Sequence, residues 1–373
     1  KLIDFLGDEK ASLTPALGAF FDSVKSLAND ASSAVRRDQL IGSGRALASR
    51  FNEISAQLKS FEEDTRKALE LKTEQANELV SELGLVNKKL IRIQDLAKQP
   101  PELLNLRDRL LADLSKFVKT SIEEKENGSF DLHIESIGSP IVDRREVGQL
   151  QVRDSGSEPD KVEIFQSTVE GESRLTRPGG EITGLIDFRE RVLDPLSTGL
   201  ESIASTFLDS VNEIHRSGID LLGQKGKDLF IAEPSVEVSL PDETGRLGFT
   251  LDTSNLARTS SQSYEIEFDS EKNMWKGRTA AGDLILSHGD SGVITLDGLR
   301  LSLEGKARQG DVVSIIIKSD VAASIRMGIS DNRLLAAANS HSLVARSSNL
   351  GDAKANLSIE QKSASSYLPN LST

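Results

Sequence analysis

"LASRFNEISAQLKSFEEDTRKALELKTEQANELVSELGLVNKKLIRIQDLA", residues 47–97, decides the fold. Leu47, Phe51, Ile54, Leu58 and Phe61 alternate steps of four and three, the spacing of one helix face. The stripe thins near Thr65–Ala76, then resumes at Leu79, Leu83, Val86, Leu90 and Ile93. Unbroken, such a helix runs roughly 75 Å at 1.5 Å per residue, longer than a compact globule is wide. The pattern predicts a coiled coil or an elongated bundle. Upstream, Thr14 as N-cap and Pro15 in the first turn start a shorter helix over 14–31, striped by Leu17, Phe20, Phe21, Val24 and Leu27.

Downstream, Pro100-Pro101 stops the rod, and "LLNLRDRLLADLSKFV" (103–118) forms a returning helix. Leu103, Leu110 and Phe117 repeat at seven, as do Leu104, Leu111 and Val118. The charged triplet Arg107-Asp108-Arg109 falls between them and reads as solvated or inter-helix charge. Arg107, seven before Leu114, borders the core, where it can fix a neighbour by hydrogen bonds. From 119 to 178 the period changes to two: "FDLHI" alternates after an Asn-Gly turn, and "KVEIFQSTV" is a second strand. "GGEITGLIDFRERV" returns to helix, whose stripe Leu193, Leu196, Leu200, Ile203, Phe207, Val211 and Ile214 reaches Arg216 before Gly218. Residues 233–328 hold short alternating strands separated by Gly, Asp, Asn and Ser, the pattern of a small antiparallel barrel or sandwich. The tail, 347–373, has no period and is expected to be loosely ordered.

The expected fold class is therefore α+β: an elongated helical domain over 1–232 with a β excursion at 119–178, an inserted β domain over 233–328, and a return to the helical domain over 329–373.

Composition narrows the function. The net charge is −13, from 45 basic and 58 acidic residues, and no basic run exceeds two. A phosphate backbone or an anionic bilayer needs a concentrated basic face, so neither nucleic acid nor membrane is an expected partner. Cysteine is absent, which excludes disulfides and thiolate chemistry. No apolar run approaches a membrane span, no signal peptide opens the chain, and the first residue is Lys. The four histidines, His133, His215, His288 and His341, make no i, i+3 or i, i+4 pair. His215 ends a helix, where its charge would suit the dipole. Asp220, Gly223, Gly226 and Asp228 lack the order and closing Glu of a calcium loop, so they read as a tight turn. The expectation is no catalytic residue, no metal and no cofactor.

Two of these stretches carry a resemblance. Residues 103–118 resemble the L-L-[DN]-x-R-D-x-L-[LV] segment of the flagellar hook-associated protein 1 family, at Leu104, Asn105, Arg107 and Asp108. Residues 179–230 resemble that family's GG-x-[IL]-x-G-L-[IL]-x-[FY]-R helix, at Gly180, Gly184, Leu185, Phe188 and Arg189. Weaker likeness covers 15–60 and 264–303, and "SDNRLLAAAN" (330–339) is similar to the start of the family's returning C-terminal part.

The resemblance implies a structural subunit, not an enzyme, exported through the flagellar type III channel without a cleaved signal peptide. Such a subunit would lie outside the cell, as a ring layer between hook and filament. It implies as partners other copies of the chain, hook protein and the adjoining junction and filament proteins. The family's polymerising terminal helices, and the chaperone-binding region, would lie outside this chain, leaving it monomeric in solution. Gly180 is expected to take a positive φ or to let backbones approach closely. Two other architectures fit the bare pattern. One is a periplasmic adaptor of the membrane-fusion type, which also joins a helical hairpin to β domains. The other is an extracellular enzyme on a helical scaffold.

Overall fold

The computed structural model describes residues 12–338 apart from 94–97, 127, 135–138, 155–161, 241–246, 254–261, 279–283, 289–291, 297–298 and 319. The tail 347–373 and the last residues of the 47–97 stripe therefore lie outside the described residues.

Helix α1 (Thr14–Asn29) starts with Pro15 in its first turn. Thr14 is its first helical residue rather than its cap, and no side chain caps this end. Helix α2 (Ala34–Ile91) is a single rod of 58 residues, about 87 Å long, capped by the Ser33 hydroxyl. Where the apolar stripe thins, the buried face continues through Thr65, Leu69, Thr73 and Ala76. Helix α3 (Pro101–Phe117) returns along α2 and buries Leu110 and Leu114.

The β excursion holds more strands than its pattern shows. Strands β1 (Thr120–Glu124) and β2 (Phe130–Ile134) form a hairpin. Strands β3 (Gln149–Asp154), β4 (Val162–Thr168) and β5 (Gly171–Leu175) form an antiparallel sheet against α2. Their inward residues, including Phe130, Leu132, Leu150, Ile164 and Leu175, share one core with the C-terminal half of α2 and with α3.

Residues expected as one helix over 181–216 form α4 (Gly180–Phe188), a π-helical turn (Arg189–Leu193) and α5 (Asp194–Ser217). The widened turn has a cause in Pro195, which has no N–H to donate and whose ring crowds the preceding turn. Asp194 N–H instead reaches Arg189 O, five residues back. Helix α5 buries Ala204, Phe207, Leu208, Asn212 and His215, but Ile203 and Ile214 of the expected stripe are exposed. Phe207 meets Phe20, Phe51 and Phe230 in a second core, shared with α1 and the first half of α2.

After the two-residue strand β6 (Phe230–Ile231) comes a two-sheet sandwich. One sheet has the order β11-β10-β9-β14-β7, from β7 (Ser235–Ser239), β9 (Gln262–Asp269), β10 (Met274–Arg278), β11 (Leu284–His288) and β14 (Val312–Lys318). The other has the order β12-β13-β8, from β8 (Leu247–Asp252), β12 (Val293–Leu296) and β13 (Leu299–Gly305). Both sheets line a third core around Trp275, which packs on Phe268. The chain then re-joins the second core through the short helix α6 (Val321–Ser324), strand β15 (Arg326–Met327), which pairs with β6, and a 3-10 turn (Asn332–Leu334).

Candidate functional site: the seam between the two helical motifs

The two motif stretches, 61 or more residues apart in sequence, meet at the C-terminal end of α3. Gly179 and Gly180 have φ of 89° and 57°, left-handed conformations that a side chain disfavours. They let the loop lie on the end of α3: Lys119 N–H donates to Pro178 O at 2.7 Å. A Cβ on Gly180 would lie 2.4 Å from the Phe117 carbonyl carbon and 2.6 Å from Lys116 O. The Thr183 hydroxyl accepts from Gly179 N–H at 2.7 Å, closing the first turn of α4. Lys72 of the rod completes the seam, with its ammonium 5.3 Å from the Phe117 ring centre and 2.8 Å from Glu181. Rod, returning helix and motif helix are thus tied at one point.

The other motif residues surround this seam in different ways. Arg107, its side chain only 12% exposed, bonds Asp108 and also Glu124 of β1, at 2.9 Å each. It joins α3 to the chain entering the β excursion. Asp108 and Asn105 are exposed, while Leu104 and Leu185 pack against the first core. Gly184 has open space where a Cβ would be. Phe188 is half-buried, and Arg189 lies 3.7 Å from Asp194 across the π turn.

Three asparagines form a second device that sequence reasoning missed. Asn77, Asn87 and Asn212 each project from a helix and bond both backbone groups of one residue: Leu150, Phe130 and Phe230. The amide accepts the N–H through Oδ1 and donates through Nδ2, as a neighbouring strand would. Asn87 and Asn212 are fully buried, so each prevents two orphaned backbone groups in an apolar core. The one available signal was an Asn on a helix's apolar side, where Asn is otherwise unfavourable.

Arg37 and His215 fix the returning chain. Arg37, almost fully buried, donates to Ala31 O, Asn332 O and Leu335 O at 2.7, 3.0 and 2.8 Å. Burial lowers its pKa, opposed by the Asp220 carboxylate. His215 accepts from Ala336 N–H through Nε2 at 2.9 Å and faces Lys227 O through Nδ1. A backbone N–H only donates, so Nε2 is the bare nitrogen and Nδ1 carries the proton. Burial lowers the His215 pKa, with Lys227 O, Asp228 and Asp220 acting the other way. The ring is therefore neutral, not the dipole-stabilising cation its position suggested.

Among the described residues, no group of three or more acidic or histidine side chains could hold a metal. Nor is any described helix long and apolar enough to cross a membrane. Of the other histidines, His133 is half-buried in β2, and His341 lies outside the described residues.

These features define a class: a rod-and-module scaffold whose distinctive residues serve close approach and backbone pairing. Residues 1–230 match the family model described as "Flagellar hook-associated protein FlgK helical domain". The chain belongs to the FlgK flagellar hook-associated protein family.

Its curated relatives include flagellar hook-associated protein 1 of Salmonella typhimurium, 26% identical over 339 residues, covering 88% of this chain and 60% of the relative. The Escherichia coli protein of the same name is 23% identical over 349 residues, covering 91% and 63%. The chain thus spans about three fifths of the length of these relatives. The solved flagellar hook junction protein FlgK from Burkholderia pseudomallei matches with a TM-score of 0.62 at 22% identity, covering 90% of this chain and 62% of that one. That match is a likeness of fold. The adaptor reading of the bare pattern gives way to the family.

Proposed function

We propose that this chain belongs to a structural subunit of the bacterial flagellum, forming the layer between hook and filament. The observation that carries the reading is the family match over the whole helical region, which folds here as a rod of 58 residues braced by α3 and the motif seam. The relatives' shared name, flagellar hook-associated protein 1, supports the assignment. On this reading the protein lies outside the cell and has no catalytic step. It reaches its place through the flagellar type III channel. Its partners are other copies of itself, the hook protein and the adjoining junction or filament proteins.

The test is deletion of the gene in the source bacterium, followed by electron microscopy. Hooks without filaments, restored by the plasmid-borne gene, are the expected result. Normal filaments on the deletion strain would overturn the reading.

We also propose three units: the helical body with its β excursion over 1–232, the β module, and the return over 329–373. The seam of the module is narrower than the alternation at 233–328 suggests. Val321, Ala322 and Ile325 pack in the second core, and Glu201 of α5 accepts from Val321 and Ala322 N–H at 2.9 Å. The module proper is 235–318. Its first and last strands pair at Ser235 and Lys318, so chain entry and exit are neighbours. That geometry supports an outward spacer set on the helical body.

A further inference from the structure

We propose that His215 is a pH-sensitive latch that holds residues 336–338 of the returning chain on the helical body. Leu221 N–H donates to Arg333 O at 3.0 Å and the Asn332 amide donates to Asp38, and three further holds follow one another along the returning chain. Arg37 donates to Asn332 O and Leu335 O. His215 Nε2 accepts from Ala336 N–H. Ile219 and Ala338 exchange two backbone bonds, at 2.9 and 3.2 Å. The first hold is a guanidinium, charged at every accessible pH. The second requires a neutral imidazole. Protonation puts an N–H on Nε2, facing the Ala336 N–H, and turns a hydrogen bond into two opposed donors.

The ring cannot turn away cheaply. It is 6% exposed at the end of α5, and its other nitrogen is committed to Lys227 O. Flipping it about χ2 would put a ring carbon against that carbonyl and lose the bond.

The charged groups around the ring do not rescue the protonated form. Asp228 faces it from the 218–228 loop but is paired with Arg216 of α5. Asp220, from the same loop, spends Oδ1 on Leu222 and Gln224 N–H and sits in the field of Arg37 from α2. From the returning chain, Arg333 is paired with Asp331 at 2.7 Å. Of the other charges, Glu213 lies on α5, Lys225 and Lys227 on the loop, and Asp38 on α2, where it accepts from the Asn332 amide at 2.8 Å.

The sign follows. The folded pKa of His215 lies below its ordinary value of 6.5, so the stabilisation is complete above that value. It is lost as pH falls through the folded pKa. Above the transition residues 336–338 are held on the helical body. Below it, Arg37 still holds Leu335, and residues 336–338 come free.

The experiment is amide hydrogen exchange by NMR on the whole chain, corrected for intrinsic rates, at about pH 7.5 and about pH 5. Ala336, Ala338 and Ile219 should lose protection by up to about tenfold per pH unit as pH falls from 6.5 to the His215 midpoint, and level off below it. Phe230 N–H, held by Asn212, is the control and should not change. In His215→Gln, which keeps a donor and an acceptor but does not titrate, the pH dependence should vanish. Constant protection of Ala336 through the titration, or unchanged pH dependence in the Gln variant, overturns the latch. So does parallel loss at Phe230, which would mark general acid unfolding. Should the variant not fold, the ring nitrogens of the natural protein decide. An Nδ1–H tautomer at neutral pH with a midpoint below 6.5 supports the latch, and an Nε2–H tautomer or a higher midpoint refutes it.

Discussion

Gly180 and Gly184 belong to one motif, yet replacing each by Ala should change stability in opposite directions. At Gly180, φ of 57° alone costs an L-residue about 1–2 kcal/mol. The added methyl would also lie 2.4 to 2.6 Å from backbone atoms of Phe117 and Lys116. Backbone at the end of a packed helix cannot yield as a flexible side chain would, and forced overpacking costs about 1–3 kcal/mol. Gly180→Ala should therefore destabilise the helical body by about 2–5 kcal/mol in total. Gly184 sits inside α4 with nothing within 4 Å of its would-be Cβ. Ala there restricts the unfolded chain without a clash, so Gly184→Ala should stabilise by about 0.5–1 kcal/mol.

The assay is urea unfolding followed in two channels. Far-UV circular dichroism reports the helices, and fluorescence of Trp275, the single Trp, reports the β module. The dichroism midpoint should fall for Gly180→Ala and rise for Gly184→Ala, with the Trp275 transition fixed in both. Equal midpoints for the two variants would refute the close-approach account of the seam.

Three further outcomes follow from the same contacts. Asn212→Ala strands both backbone groups of Phe230 in a dry core and should cost about 2–4 kcal/mol by urea unfolding; a cost below about 1 kcal/mol would show that the pairing adds nothing beyond what solvent supplies. Arg107→Ala removes a pair whose carboxylates are more than half exposed, so it should cost only about 1 kcal/mol, part of it from lost packing of the stem; a melting temperature equal to that of the natural protein would return Arg107 to a solvated role. Replacing 235–318 by a short Gly/Ser linker should leave the helical dichroism and protease resistance of the body intact, whereas digestion throughout would show the module to be integral to the fold.

The rod was legible in the sequence because helix periodicity is local. Leu47, Phe51, Leu58, Leu83 and Leu90 are spaced to share a face whatever packs on it, and that face is the buried one. The strands of the sandwich were legible where alternation met a dry interior, as in "VVSIII". Strands β1 and β5 were not, because "TSIEE" and "GESRL" bury almost nothing and exist only through the strands beside them. The Gly-Gly step and Arg107 could be picked out as residue types, but their partners, Phe117 and Glu124, are placed by the return of the chain.

By itself, then, the sequence determined which stretches are helical, the switches between periods of 3.6 and 2, and the absence of thiol chemistry. Tertiary structure alone decided three things. It chose which side of α5 is covered, leaving Ile203 and Ile214 outside the core despite their place in the stripe. It turned Asn77, Asn87 and Asn212 into substitutes for a strand. It made His215 neutral, through a backbone N–H 121 residues away. The physical reason is the same in each case. A periodic stripe is set by the geometry of one chain segment, whereas burial, hydrogen-bond pairing and protonation state depend on which distant backbone arrives beside it.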